Sequence, residues 1–331
     1  MSCGFAVSGA VAMQTAKVMI GELERRSKRI KFLRYLRKNV CNLGRKGVII
    51  YLSAKGGRVT DMRYRIFDAH AHVYPEKIAD RAVKAIGDFY DIPIEKNGTV
   101  DGLIESWTDN GVRLAAKCLI HATATTAHQV ASINDYISGI VKSHDCFVGF
   151  GTLYTELDQE SMCAEAQRML DIGLKGVKLH PDFQKFFADG KDAQKIYRAT
   201  EGKLPILFHA GDVRYGYSSP ERIAKVAREF PKQIVIAAHF GGYSEWGKVV
   251  DAYKGLDNVY FDTSSTLAFL SEEDAKKIID ALGAERFLFG TDYPMWAPLG
   301  ELKRFMRLCL TERERELILA KNAENLLDIK V

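Results

Sequence analysis

The chain has 331 residues, 47% hydrophobic and 27% charged, with a formal net charge of +5. That suits one large globular domain or two ordinary ones, and no run is long and apolar enough to cross a bilayer as a helix. Six scattered cysteines (Cys3, Cys41, Cys118, Cys146, Cys163 and Cys309) form no C-x-x-C pair, which argues against a disulfide framework and fits reduced thiols in a cytoplasmic protein.

Residues 1–61 hold 13 Lys/Arg against 3 Asp/Glu, a net +10, so the other 270 residues carry −5. The basic excess belongs to this extension and says nothing about the substrate of the rest. Phe5 to Met13 is apolar, but no positive segment precedes it, so it does not read as a secretory signal. Arg25 to Lys38 is basic, with Ile30, Leu33, Leu36 and Val40 near helical spacing, a pattern suited to an anionic membrane or nucleic-acid surface. A plainer reading starts from Lys55-Gly56-Gly57, which a purine-rich string resembling a bacterial ribosome-binding site encodes. On that reading Met62 is the start, residues 1–61 are translated upstream sequence, and the folded domain is 62–331.

From Met62 onward, short apolar runs alternate with amphipathic stretches. The first strand, over 65–69, leads into Asp68-Ala69-His70-Ala71-His72. Alternate strand residues point the same way, so His70 and His72 project together and offer two imidazoles to one point, the start of a divalent metal site. Asp68 shares their parity and lies deeper. After a helix over 76–88, a strand over 112–120 is followed by His121 and His128, for which a surface or helix-capping role is the plainer expectation. A helix over 130–142 and His144, with no chemical role, precede a strand over 147–153. Cys118 and Cys146 lie in such runs and read as core residues. The helix over 158–172 is closed by Gly173 at C′. A strand over 176–179 carries Lys178 and ends at His180-Pro181. The strand over 205–208 ends at His209, with Arg214 and Tyr215 in the loop beyond. Ser219-Pro220 opens a helix over 220–230 and Pro231 stops it. A strand over 234–238 runs into His239 and Gly241-Gly242, and a helix over 244–253 follows. The strand over 259–262 ends at Asp262. Ser271-Glu272-Glu273-Asp274 resembles a capping box at the start of a helix over 272–282. The strand over 287–290 ends in Thr291-Asp292-Tyr293-Pro294, and helices over 299–310 and 311–327 finish the chain.

Strands alternating with helices imply parallel pairing through crossover helices. Eight such units in 270 residues predict an α/β fold, a single (β/α)8 TIM barrel, whose usual size is about 250 residues. An open doubly wound sheet would carry a Gly-rich phosphate loop after its first strand, where this chain has His-Ala-His. Five of the eight histidines (His70, His72, His180, His209 and His239) fall at carboxyl ends of strands, the face on which such barrels build their sites.

The order D-A-H-A-H, K-L-H-P, F-H-A-G, A-H-F-G-G and G-T-D-Y-P over residues 65–330 resembles the amidohydrolase superfamily. Within it, the chain is similar to the amidohydrolase-2 group, which includes aminocarboxymuconate semialdehyde decarboxylase, resorcylate-type decarboxylases and related hydrolases. The resemblance implies that His70, His72, His209 and Asp292 ligate one metal, Zn2+ by preference, with iron, manganese and cobalt as alternatives. It gives His239 the role of the non-ligand catalytic histidine. In a hydrolase Asp292 would also take the proton of a metal-bound water. His180 is expected to line the substrate pocket. Lys178, of the same parity, is expected to pair with an interior carboxylate, Asp68 or Asp262. Arg214 and Tyr215 are candidates to grip a substrate carboxylate, and Trp296 is a candidate pocket wall.

The leading expectation is hydrolysis of a small amide, ester or lactone. The alternative is nonoxidative decarboxylation of an aromatic or unsaturated carboxylic acid by the same centre. A small-molecule substrate is the expected partner, with no nucleic acid or membrane for the barrel and a homodimer as the family-level expectation. A different class of function, a binding protein anchored through the basic extension, predicts salt-dependent binding that vanishes without residues 1–61.

Overall fold

The computed structural model describes residues 64–331 except Asn110. The amphipathic stretch 25–38 and the Lys55-Gly56-Gly57 segment lie outside the described residues. Eight parallel strands follow one another in sequence order: β1 (Phe67–His72), β2 (Lys117–His121), β3 (Phe147–Thr152), β4 (Gly176–Leu179), β5 (Ile206–Phe208), β6 (Val235–Ala237), β7 (Val259–Asp262) and β8 (Phe287–Leu288). The seam between β8 and β1 is closed by backbone bonds. Ala69 N–H donates to Phe289 O (2.7 Å), Asp292 N–H to His70 O (2.8 Å) and His72 N–H to Tyr293 O (2.7 Å). The (β/α)8 barrel expected from the alternation is therefore the fold.

Two apolar layers hold it. Phe67, Leu119, Val148, Phe150, Leu207, Ile236 and Leu288 form an inner cluster, with Ala323 and Leu327 of the carboxyl-terminal helix packed onto it. The opposite strand faces, among them Ile120, Val177, Phe208, Val235 and Phe261, pack on the crossover helices. Burying both faces is why the strands read as nearly continuous apolar runs. Helix starts follow local chemistry. The Asp158 carboxylate accepts from Ser161 N–H (2.7 Å), Ser271 Oγ from Asp274 N–H (3.1 Å), and Thr311 with Glu314 forms a full capping box.

The departures from expectation lie at strand ends and connections. The second strand does not start at 112: Thr108–Asp109 and Val112–Arg113 form a separate antiparallel hairpin, and β2 begins at Lys117. β1 runs further than 65–69, to His72, with a bulge between Asp68 and Ala71 in its pairing with β2. That extra residue breaks strict alternation. Asp68 consequently leaves the imidazoles and accepts from Trp107 Nε1 (3.0 Å) and Thr291 Oγ1 (2.7 Å). The stretch 244–253 is a 3-10 turn (Trp246–Lys248) followed by a short helix (Val249–Tyr253). Helix α1 (Glu76–Tyr90) leads from β1 towards the mouth.

Candidate metal centre

The strand ends deliver the polar residues to one place. β1 presents His70 and His72. Asp292, after β8, takes a left-handed backbone conformation (φ 59°) that only tight local bonding sustains in a non-glycine residue. Its N–H is held by His70 O, and its carbonyl accepts from Met295 N–H (2.8 Å). His239, after β6, is left-handed too (φ 59°), with its N–H donated to Asp262 Oδ1 (3.1 Å).

His70 Nε2 lies 3.3 Å from His72 Nε2, and Asp292 Oδ1 lies 3.4 Å and 3.3 Å from those two nitrogens. Donors about 3.3 Å apart form the face of a tetrahedron centred about 2.0–2.1 Å from each, the bond length zinc makes to imidazole nitrogen. The His70 tautomer fits as well. Its Nδ1 faces the Asp262 carboxylate at 2.8 Å, which only accepts, so the proton sits on Nδ1 and Nε2 offers its lone pair. Burial, reinforced by the nearby Lys178 ammonium, lowers the His70 pKa to about 4 and keeps the ring neutral. Burial alone would raise Asp292, but His70, His72 and His239 overcome it and hold the carboxyl well below its ordinary range. Asp262 is held low in the same way, by His70 first and His239 next. Two neutral imidazoles and an ionised carboxylate turned to one point are what a divalent cation requires.

The other predicted residues divide. Lys178 Nζ lies 3.1 Å from His70 Nε2 and forms no ion pair with Asp68 or Asp262, contrary to expectation. The β1 bulge has removed Asp68, and Asp262 is taken by His70 Nδ1 and by the Ser264 hydroxyl (2.5 Å). Burial lowers the Lys178 pKa to about 8, against the pull of Asp292 and Asp262. His209, placed by the resemblance on the metal, has both ring nitrogens engaged. Nδ1 is 3.0 Å from His239 Nε2, and Nε2 is 3.4 Å from the Tyr90 hydroxyl and 3.7 Å from Asp182 Oδ2. Its ring stacks on His180 (4.0 Å between centroids, 6° between planes), which stacks in turn on Phe183. His180 lines the cleft, with its Nε2 3.0 Å from the Tyr90 hydroxyl.

Arg214 does not reach the pocket. It grips Asp212 with two nitrogens (2.9 and 2.7 Å), donates to Phe89 O (2.8 Å) and lies over the Phe89, Tyr90 and Tyr215 rings. Tyr215 stacks on Phe89 and is 44% exposed, outside the cleft. The carboxylate grip assigned to this pair fails because the neighbouring Asp212 already fills the guanidinium fork. Trp296, a candidate pocket wall, does not line the cleft; it donates to Ser265 Oγ (2.9 Å), and that hydroxyl donates to Asp292 Oδ2 (2.5 Å), so it braces the Asp292 carboxylate from behind. His128 is exposed and His144 bonds Ile140 O (3.1 Å), as ordinary residues do. His121 is not on the surface: it is fully buried against the His70 and His72 rings.

Sequence reasoning missed three participants. Asp262 was visible at a strand end but was given to Lys178. Asp182 sits in the K-L-H-P-D run, where a turn aspartate draws no notice; burial, with Asp212 nearby, raises its pKa to about 7. Tyr90, at the end of a surface helix, carries no signal at all. The cleft that these groups share is walled by Ile86, Tyr90, Phe183, Pro294 and Met295 above His72, His180, His209 and Asp292. Its free volume is about 20 Å³, room for a water or two.

A family model described as amidohydrolase matches residues 67–329. A comparison with curated proteins returns no match. Among solved structures, an uncharacterized TIM-barrel protein from Bordetella bronchiseptica is 20% identical with a TM-score of 0.66, over 80% of this chain and 98% of that one. The 5-carboxyvanillate decarboxylase LigW from Sphingomonas paucimobilis is 17% identical with a TM-score of 0.64, over 80% of this chain and 99% of that one. A 5-carboxyvanillate decarboxylase from Novosphingobium aromaticivorans, complexed with manganese and 4-hydroxy-3-methoxy-5-nitrobenzoic acid, is 15% identical with a TM-score of 0.61, over 81% and 97%. At these identities the likeness is one of fold.

Proposed function

The chain belongs to the amidohydrolase family, whose model spans residues 67–329, and from that premise we propose that it is a metal-dependent carboxy-lyase releasing carbon dioxide from a small aromatic or unsaturated acid. The observation that carries this reading is the state of Asp292. Its Oδ1 faces the two imidazoles and its Oδ2 accepts from Ser265, so both oxygens are engaged. Such a carboxylate is poorly set to take a proton from an attacking water, the step on which hydrolysis depends. Decarboxylation needs instead a held carboxylate and a proton delivered to carbon.

His70, His72 and Asp292 would hold the cation; His209, which the resemblance adds as a fourth ligand, has both ring nitrogens engaged by His239 and Tyr90 and belongs instead to a hydrogen-bonded line. When bound, the cation polarises a substrate oxygen and stabilises the charge that develops there. The chain's own groups form this line. His239 Nδ1–H donates to Ser264 O (3.1 Å), so its Nε2 accepts, and it does so from His209 Nδ1–H. His209 Nε2 is left to accept from Tyr90, whose hydroxyl burial keeps protonated. The proton that replaces the carboxylate is given by the Tyr90 hydroxyl at the cleft, and the bonds through His209 to His239, all of which donate inward, hold that hydroxyl in place from the buried side. Loss of CO2 from R–COO− with gain of H+ gives R–H and balances without a redox partner. The flat apolar walls suit a planar acid. The solved neighbours named for 5-carboxyvanillate and 2,6-dihydroxybenzoate decarboxylation supply candidate substrates, and manganese, named with three of the decarboxylase structures, joins zinc as a metal to load.

Hydrolysis of an amide, ester or lactone is the second reading, favoured by the description of the family model. Purified protein loaded with Zn2+ or Mn2+ and assayed on hydroxybenzoates and lactones separates the two. We expect carbon dioxide release, reduced about 10²- to 10⁴-fold in His239→Ala. A ring-opened product without carbon dioxide would establish the hydrolase instead.

A further inference from the structure

His121 is the anomaly that this account leaves over. It is fully buried, and among the described residues it is the only histidine whose two ring nitrogens are both buried without a hydrogen-bond partner. A neutral imidazole carries one donor and one acceptor, so both capacities go unmet, which a folded core tolerates only at a cost. Its position is not accidental. β1 and β2 pair so that His72 and His121 are register partners. The His121 ring lies 4.4 Å from the His72 ring at 85° and 4.9 Å from the His70 ring at 70°, edge-on to both. One nitrogen from each of His70, His72 and His121 falls within a single 4.8 Å group. Whereas His209 has both nitrogens engaged, His121 has neither.

We infer that His121 is a further inner-sphere ligand of the cation held by His70, His72 and Asp292, an inference that rests on the metal centre proposed above. Three imidazoles from two adjacent strands then meet the cation. His70 and His121 do not line the cleft, whereas His72 and Asp292 do. The added ligand thus approaches from the buried side and leaves the substrate side open.

The test compares wild type, His70→Ala, His121→Ala and His121→Phe for metal stoichiometry, for affinity by competition with a chromophoric chelator, and for the visible spectrum of the Co2+ form. His121→Ala is expected to lose more than about 100-fold in Co2+ affinity, beyond the 10- to 100-fold usual for residues behind a ligand. Its cobalt bands should shift, and added imidazole, filling the vacated space, should restore both. His121→Phe keeps the buried shape and removes the unmet nitrogens. It should melt without metal at least as high as wild type and lose most of the rise in Tm that metal gives. One equivalent of metal bound with wild-type affinity and an unchanged cobalt spectrum in both variants would overturn the inference. If wild type itself takes up no metal and matches His70→Ala, the metal centre fails, and the inference with it.

Discussion

At the scale of single residues, the site is set by which proton sits on which nitrogen. Asp262 fixes His70 as the Nδ1–H tautomer, and that turns the Nε2 lone pair of a buried histidine towards the proposed cation. Asp262→Asn offers an amide that serves either tautomer, so metal affinity should fall about 10- to 100-fold. An affinity equal to wild type, measured by chelator competition, would mean that something else orients the ring. Glu301 makes a separate prediction. It is 1% exposed, one carboxylate oxygen has no partner, and burial raises its pKa to about 7 despite Arg304 beside it. A carboxyl raised in the fold binds its proton more tightly there than in the unfolded chain. Its favourable contribution is therefore complete at low pH and is lost as pH rises from the ordinary value near 4.5 to about 7. Glu301→Gln should raise stability at pH 8, by at most about 3 kcal/mol, and leave it nearly unchanged at pH 4. Denaturation at the two pH values checks this, and an equal effect at both would contradict it. The residues legible in sequence were those whose chemistry sits in a short motif: His70 and His72 one apart, and Asp292 after a strand. His121 and Tyr90 were not legible, because their meaning comes from a neighbouring strand and from the end of a surface helix.

At the scale of elements, the strands were readable because burial on two faces leaves uninterrupted apolar runs, while the connections were not. The bulge in β1 has no glycine to announce it, yet it sends Asp68 to Trp107 and so unmakes the expected pairing with Lys178. α1 matters most for access. It contributes Ile86 and Tyr90 to the cleft wall, yet Ala79 is its only buried residue. With a free volume of about 20 Å³ in the cleft, we expect a wall to move when substrate binds. A helix with little buried apolar surface is the one to do so. Backbone amides of α1 should exchange hydrogen faster than those of the helix Val130–Ser143, where five residues are buried, and should slow when a hydroxybenzoate or nitro analogue binds. Equal protection of the two helices with and without ligand would contradict this.

At the scale of the whole molecule, the opposed net charges of residues 1–61 and 62–331 motivate the proposal that the barrel stands on its own. The family match lies wholly within residues 62–331. A chain beginning at Met62 should fold, melt and take up metal as the full chain does; failure to fold would show that the first 61 residues are part of the structure. The central claim is that residues more than 200 positions apart meet on one cation. Elemental analysis of purified wild type beside His70→Ala/Asp292→Ala, each checked for folding by circular dichroism, tests it most directly. The account predicts about one divalent metal per wild-type chain and none in the folded double variant, and stoichiometric metal retained in that variant would contradict it.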